Sequence, residues 1–209
     1  GNAGEAWSMG DGAGATMAGV GVPMASEKHY LMSPFTTTAL SSAQTGLTAA
    51  DGLVRTAWEK AQISSNFGGM MALSTSSLSS YTSGSTTDRA GTLNGAPTAT
   101  YLAAKDTMTQ TLVLAGLGTG TILAGDQVTI AGVNQLNIST RQVLLDAAGA
   151  AVPWVGTVLS DVTIAGNAAT LVVSGAAIYE ANGQYNTVDA APANGAAVTI
   201  LGAAGTIYQ

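Results

Sequence analysis

The chain has 209 residues, enough for one ordinary domain or two small ones, and only 9% of them are charged, with a formal net charge of −6. It has no cysteine and a single histidine, His29, which excludes a disulfide scaffold, thiol catalysis and a multi-histidine metal site. The acidic balance disfavours non-specific binding to nucleic acid. The longest apolar stretch, residues 107–125, is interrupted by Gln110 and by repeated Thr and Gly, so it would make a poor membrane helix.

The first part of the chain, residues 1–27, is rich in Gly, Ala and Met and shows no hydrophobic periodicity. We therefore expect a loop with short ordered pieces there. Residues 28–32 are expected to form a short strand. Ser33 followed by Pro34 is a typical helix start, because Ser caps the first turn and Pro suits the first helical position, and it predicts a helix over about residues 35–43.

A second helix is predicted over residues 49–63. Thr48 can cap it, and its apolar side chains recur on one helical face: Leu53, Val54, Ala57, Trp58 and Ala61. Ser64, Ser65 and Asn66 are expected to end this helix. Residues 70–73 then form a plausible strand.

The amino-acid composition changes at residue 74. Residues 74–97 are rich in Ser, Thr and Gly, which indicates a linker or a long exposed loop. Beyond them, strand-like runs recur between turn residues, a pattern typical of a β-sandwich or a small barrel. In one run, Gly125 and Gly132 are expected to be bracketing turn residues, with Val128 and Ile130 facing inward. The expected strands are Thr98–Ala103, Met108–Ala115, Gln127–Ala131, Arg141–Asp146, Val155–Leu159, Val162–Ala165, Thr170–Ser174 and Ala197–Leu201.

No residue pattern in the sequence points to catalysis or to a cofactor. Residues 10–15 loosely fit a glycine-rich dinucleotide turn, but no strand precedes them, so a glycine-rich loop is favoured. We interpret His29 as structural. The acidic residues are scattered singly, and Asp126, Asp146 and Asp161 each adjoin a predicted turn, where Asp commonly bonds its own backbone. We therefore expect no enzymatic activity, no cofactor and no bound metal.

A resemblance enters at residues 123–134. This segment resembles the "Gly-Asp, strand, Ala-Gly-Val" signature of the major capsid proteins of short-tailed phages, in which the coat protein carries an inserted β domain. Residues 183–202 resemble the end of that insertion. Residues 31–34, the helix with Trp58, and Gly68-Gly69 resemble the part of the axial domain that precedes it. The matching segments occur in the same order as in the family.

The resemblance implies an α+β fold: a partial capsid axial domain of two helices and short strands, then a mainly antiparallel β-barrel or sandwich insertion. It places the axial portion in residues 1–75, a linker or exposed loop in residues 76–97, and the insertion domain in residues 98–209. Gln127 departs from the family, which often has an aromatic or aliphatic residue there. The extension arm, spine helix and closing segment of the family have no counterpart, so we expect the central portion of a longer subunit.

The function implied is structural: a coat subunit that builds an icosahedral phage shell, with the β domain on the outer surface aiding folding and inter-capsomer contact. The implied partners are other coat copies and a scaffolding protein, with no small-molecule substrate, membrane or specific nucleic acid. The implied location is the virion, after synthesis in the cytoplasm of the bacterial host.

Residues 83–97 are the expected contact loop, and they hold the adjacent charges Asp88 and Arg89. The alternative for this pair is that both are solvated loop charges. The competing class for the whole chain is an extracellular β-sandwich binding module, such as an adhesin, tail-fibre or surface-layer domain. The helices predicted within residues 28–66 count against that class.

Overall fold

The structure is a computed structural model that describes residues 3–23, 27–43, 62–67 and 70–208. The chain divides into two compact units, the first reaching Ser80 and the second spanning Tyr81–Tyr208. The described elements of the first unit are α1 (Ala3–Val20), β1 (His29–Met32), α2 (Pro34–Ala43), β2 (Gln62–Phe67) and β3 (Met70–Ser74). Those of the second unit are β4 (Tyr81–Thr82), β5 (Ala90–Leu93), α3 (Tyr101–Ala104), β6 (Thr109–Ala115), β7 (Thr121–Ile122), β8 (Gln127–Asn134), β9 (Pro153–Val158), β10 (Val162–Thr163), β11 (Ala168–Ser174), β12 (Ala197–Ile200) and β13 (Ile207–Tyr208).

Helix α1 contradicts the loop expected over residues 1–27. The helix contains as many glycines as alanines, and glycine is unfavourable in a helix interior, so residue propensity alone does not account for it. The helix ends in a Schellman motif, in which the N–H of Gly21 donates to the carbonyl of Ala18 (3.2 Å) and the N–H of Val22 to that of Met17 (3.0 Å). Gly21 has φ 105°, a conformation that favours glycine, and Pro23 follows it. This stop signal is visible in the sequence.

Strand β1 and helix α2 lie where the sequence predicts them. Ser33 caps α2, because its Oγ accepts the N–H of Thr36 at 3.2 Å, and Pro34 is the first helical residue. Strand β3 also agrees with its prediction. In this sheet β3 is central, parallel to β1 and antiparallel to β2.

The helix predicted over residues 49–63 is wrong at its last two residues, because Gln62 and Ile63 belong to β2. The Ser and Asn residues expected to end that helix lie in the same strand. Thr48 and residues 49–61, including Trp58, lie outside the described residues.

Six strands of the second unit close into a barrel in the order β11-β6-β5-β12-β8-β9. Every neighbouring pair is antiparallel, so the α+β fold class with an antiparallel barrel is confirmed. Side chains alternate between the interior and the outer wall, as the period of a strand requires. The buried cluster comprises Leu93, Leu112, Leu114, Leu117, Ile122, Val128, Ile130, Val133, Trp154, Val158, Ile164, Ala169, Leu171, Val173, Ala177, Val188, Val198 and Ile200.

The six barrel strands contain no charged residue. Their outward positions are mainly Thr, Val and Ala; for example, Thr170 lies opposite Val113, and Val172 opposite Thr111. The charged residues of this unit lie in the segments between the strands. Within the described residues, no helix is both long enough and apolar enough to cross a membrane.

Three expectations for the second unit are corrected. The linker or exposed loop expected over residues 76–97 is wrong at β5, whose Leu93 is buried in the barrel. Residues 98–103 form no strand; helix α3 begins after Thr100, whose Oγ1 accepts the N–H of Ala103 at 3.3 Å. Residues 141–146 make only isolated β-bridges. These three segments are rich in polar or small residues, and their structure depends on pairing with distant residues or on a local helix cap. The residue pattern alone does not indicate either one.

Strand β8 confirms one prediction and corrects another. Val128 and Ile130 are buried in the barrel, as expected. Gly132 does not end the strand, because β8 continues to Asn134. Its pairing with β9 shifts register between Thr129 and Asn134, so Gly132, with φ 76°, lies in a bulge inside the strand.

Candidate functional site

Asp88 and Arg89, the adjacent charges of the predicted contact loop, lie in different environments. Asp88 is exposed, and its Oδ1 accepts the N–H of Ala90 at 3.3 Å. The side chain of Arg89 is only 10% exposed, and its Nη2 lies 2.8 Å from Oδ1 of Asp126. The two charges therefore do not form one surface patch, and the alternative that both are solvated is wrong for Arg89.

Asp126 is the centre of a buried polar cluster. Its carboxylate is fully buried, and Oδ1 accepts hydrogen bonds from the Tyr81 hydroxyl and from Arg89. Its Oδ2 accepts the N–H of Gly84 at 3.0 Å and the N–H of Leu123 at 2.9 Å. Four donors occupy the main acceptor positions of the carboxylate. The charge is thus both paired and hydrogen-bonded, the condition under which proteins bury a carboxylate.

The cluster fixes the protonation states of its members. Burial alone would raise the pKa of Asp126, but hydrogen bonds, led by that from the Tyr81 hydroxyl, outweigh it and hold this pKa below its usual value. Burial raises the pKa of Tyr81 well above its usual value, and the hydrogen bond to the Asp126 anion raises it further. Tyr81 therefore stays a donor and Asp126 a charged acceptor throughout the neutral pH range.

Arg89 extends the cluster to the last segment of the unit. Its Nε donates to the carbonyl of Ile200 at 3.3 Å, and its Nη2 to the carbonyl of Leu201 at 3.1 Å. Its Nη1 donates to the carbonyl of Gly84 at 3.1 Å. The planar guanidinium can bond several acceptors at once. One side chain therefore joins the segment before the barrel to the segment after it.

The same two segments also pair through their backbones. Strands β4 and β13 are antiparallel, with Tyr208 opposite Tyr81, and the two rings are stacked with centroids 5.9 Å apart. The N–H of Ser83 donates to the carbonyl of Thr206, and the Ser83 hydroxyl accepts the N–H of Thr206, both at 3.0 Å. We call residues 81–89 and 201–208, together with the Asp126 carboxylate that joins them to the barrel, the clasp.

The Gly-Asp pair that carries the sequence resemblance lies at the centre of the clasp. Gly125 has φ 99°, and a Cβ there would lie 2.9 Å from two carbons of the Tyr81 ring. A side chain at Gly84 would likewise meet the carbonyl of Thr121 and the carboxylate of Asp126. Gly125 therefore allows the Tyr81 ring to lie close to this turn. The next residue, Asp126, accepts a hydrogen bond from the Tyr81 hydroxyl.

The three acids expected to bond their own turns have different outcomes. The prediction is confirmed for Asp146, whose Oδ1 accepts the N–H of Ala150. Asp126 accepts the N–H of Leu123 in its own turn, as predicted, but it also accepts hydrogen bonds from residues of the segment 81–89. The sequence pattern does not predict these additional bonds. For Asp161 the prediction is wrong, because its Oδ1 accepts the N–H of Ala124, which lies in another turn.

The clasp joins chain segments, and the ionisable groups Tyr81 and Asp126 at its centre are both held in hydrogen bonds. The raised pKa keeps Tyr81 protonated, and the acceptor positions of Asp126 are occupied.

Residues 10–15 lie inside α1, so the glycine-rich loop favoured for them is wrong, and His29 is exposed in β1. Across the described ranges, no group of three His, Asp or Glu residues could hold a metal ion.

A second surface is the hairpin between β8 and β9, residues 135–152. It is held by isolated bridges and exposes two large aliphatic side chains, Ile138 at 57% and Leu145 at 58%. It makes two turns, and at the first of them Nη1 of Arg141 donates to the carbonyl of Asn186 at 2.8 Å. The hairpin is thus anchored at its base and first turn, while its aliphatic side chains face solvent.

The fold and the clasp together define an α+β protein whose second unit is an antiparallel barrel with adjoining first and last segments. The family model described as "P22 coat protein - gene protein 5" matches residues 1–207. The chain therefore belongs to the P22 coat protein family, which confirms the resemblance seen at residues 123–134.

Two individual proteins show the same similarity. The chain is 42% identical over 183 residues to the "Major capsid protein" of Acyrthosiphon pisum secondary endosymbiont phage 1, a match that covers 85% of this chain. The chain spans about 43% of the length of that relative. Among solved structures it is similar to the "CUS-3 coat protein I-domain", with a TM-score of 0.39 and 28% identity, covering 54% of this chain and 96% of that one.

Proposed function

We propose that the chain is part of the major capsid subunit of a tailed phage and tiles an icosahedral shell. The observation that carries this proposal is the family match over residues 1–207. The relative that is 42% identical is named a major capsid protein. In this role the subunit is located in the virion, after synthesis in the cytoplasm of the bacterial host, and it acts structurally rather than as an enzyme. The same match disfavours the adhesin, tail-fibre and surface-layer alternatives.

In this proposal the first unit is the axial portion of the subunit, and residues 81–208 are the insertion domain on the outer surface. The adjoining strands β4 and β13 support the assignment, because a domain inserted into another chain has to leave it and rejoin it at nearby points. Acidic residues outnumber basic ones in this unit, which suits a surface that does not face packaged DNA. The partners are then other coat copies and a scaffolding protein.

Contact with neighbouring capsomers is proposed for two loops. Arg89 is committed to the clasp, so in the predicted loop the exposed Asp88 is the residue available to a neighbour. The hairpin of residues 135–152 offers apolar contact through the exposed side chains of Ile138 and Leu145. The two loops therefore offer different chemistry, one charge and one pair of aliphatic side chains.

Electron microscopy of the full-length parent protein tests the proposed function. We expect closed shells from the unaltered protein. The variants Asp88→Ala and Ile138→Ser/Leu145→Ser should each lower the yield of shells while the purified subunit keeps its circular dichroism spectrum and Tm. Thr170→Ser on the outer wall of the barrel is the control and should assemble normally. Fibres or discrete trimers from the unaltered parent, without shells, would refute the coat function.

A further inference from the structure

The clasp differs from the rest of the second unit in what holds it together. None of residues 81–89 or 201–208 belongs to the buried apolar cluster of the barrel. Ile207 and Tyr208 are exposed at 66% and 40%. A region with few buried apolar contacts and several hydrogen bonds near solvent opens at a lower free energy than a packed core does.

Apart from backbone bonds at its ends, where the N–H of Ile200 donates to the carbonyl of Arg89 and the N–H of Leu201 to the carbonyl of Gln127, both at 2.8 Å, the clasp is tied to the rest of the unit at two points. At the first, Asp126 accepts from Tyr81, Gly84 and Arg89, and all three donors belong to the clasp. At the second, Ser85 and Thr121 exchange hydrogen bonds between exposed side chains and backbone. Hydrogen bonds to an ionised acceptor are roughly twice as strong as neutral ones, and solvent competes less for the buried set. Asp126 is therefore the dominant side-chain attachment of the clasp.

We propose that the clasp is a separate cooperative element that can open while the barrel stays folded, and that Asp126 is the positioning residue that holds it shut. When the carboxylate is intact, the guanidinium of Arg89 is held where it also binds the carbonyls of Ile200 and Leu201. The first and last segments are then fixed to one another and to the barrel. When the carboxylate is lost, both segments are released together as far as their backbone bonds to the barrel at Arg89 and Leu201. This inference does not depend on the proposed capsid function.

Hydrogen exchange of backbone amides in the full 209-residue chain tests the proposal, with Asp126→Asn as the variant. The amides of Ser83, Gly205 and Thr206 report on the clasp, because their acceptors lie within it. We expect these amides to exchange about 10- to 100-fold faster, the range for losing a hydrogen bond to a charged group. Amides of the paired strands β6 and β11 should keep their rates.

The matched control is Asp161→Asn, which alters an acid of the same type with one exposed bond to the neighbouring turn. It should leave exchange in the clasp unchanged. Equal acceleration in the clasp and in the barrel would overturn the proposal, because Asp126 would then contribute only to global stability. Unchanged exchange in the clasp would overturn it as well.

A milder variant covers the case in which Asp126→Asn does not fold. Tyr81→Phe removes one donor and keeps the ion pair with Arg89. We expect the same regional pattern with a smaller acceleration, because two of the three clasp donors remain. If Tyr81→Phe leaves the clasp amides at their original rates, or accelerates barrel amides equally, the proposal fails.

Discussion

The barrel interior and the clasp both hold together segments that are distant in sequence, but they do so with opposite chemistry. The interior shares its contacts among many apolar side chains from all six strands. The clasp directs three donors onto a single carboxylate. Hydrophobic burial has no direction and is roughly additive in area, whereas hydrogen bonds demand particular atoms at particular distances. A change in the interior should therefore be felt throughout the barrel, and a change in the clasp only locally.

The largest effect is expected in the interior, for Trp154→Ala. Trp154 is 2% exposed, its ring packs against Gly156, and its Nε1 donates to the carbonyl of Gly175 at 2.8 Å. Removing it should cost about 3–5 kcal/mol, the usual range for a buried Trp. Urea unfolding followed by far-ultraviolet circular dichroism measures this cost, and barrel and clasp amides should both exchange faster. A cost below about 1 kcal/mol would show that the interior repacks freely.

A smaller effect is expected within one strand, where neighbours face opposite ways. Ile130→Ala should cost about 2–5 kcal/mol, since Ile130 is buried. Thr129→Ala should lie within about 0.5 kcal/mol of the unaltered protein, because its hydroxyl makes only a long bond to the carbonyl of Thr199. The same urea unfolding compares the two. Equal costs would show that the inward facing of β8 is wrong.

In the clasp, Ser83→Ala should act locally. The buried Ser83 hydroxyl donates to the carbonyl of Ala203 and accepts the N–H of Thr206. Its loss should lower the opening free energy of the clasp by about 1–3 kcal/mol, the cost of leaving buried groups unpaired. Hydrogen exchange should show this at Gly205 and leave the barrel strands unchanged. Ser85→Ala, which removes an exposed hydroxyl, is the control and should have a smaller effect.

The smallest effect on stability is expected from lowering the pH. The pKa of Asp126 is lower in the folded protein than in the unfolded chain, so its contribution to stability is complete above the unfolded value, about 4, and decreases as the pH falls through the folded value. The titratable groups that face it are Arg89 and Tyr81, on which Tyr208 is stacked, and the raised pKa of Tyr81 keeps that phenol neutral over this range. The protonated carboxyl can still accept from Gly84 and Leu123, which limits the loss.

Exchange of the clasp amides between pH 5 and pH 2, corrected for intrinsic rates, measures this acid effect. We expect the clasp to open progressively in the unaltered protein. In Asp126→Asn this dependence should disappear, because no group then titrates at that position. A clasp that keeps the same acid dependence without the carboxylate would place the titrating group elsewhere.

The sequence predicts those features whose signals are local. Ser33-Pro34 defines the start of α2 because capping involves residues three positions apart. The alternation around Ile130 predicts its facing because a strand has a period of two. The loop expected for residues 1–27 is wrong at α1 because the small residues of this helix show no periodicity, although Gly21 and Pro23 indicate its end.

The features that could not be predicted depend on pairing between distant residues. Strand β5 has one large apolar side chain, Leu93, and becomes a strand only because β6 and β12 flank it. Arg89 and Asp126 are 37 positions apart, and neither has a neighbour in sequence that marks the ion pair. The resemblance at residues 123–134 includes the Gly125-Asp126 pair. It does not indicate that the Asp126 carboxylate binds Tyr81 and Arg89.

The uncharged wall of the barrel has a consequence for aggregation. Segments such as residues 109–115 and 168–174, rich in Thr, Val and Leu and without charge or proline, are the kind of sequence that adds to other chains as a cross-β stack. In the folded protein they pair with each other along their full length, and each also pairs at one end with a further strand of the closed barrel. Their mutual pairing therefore occupies one edge of each segment, and the outer face of these strands carries no charge. The hazard is greatest before the ring closes, when both edges of each segment are unpaired.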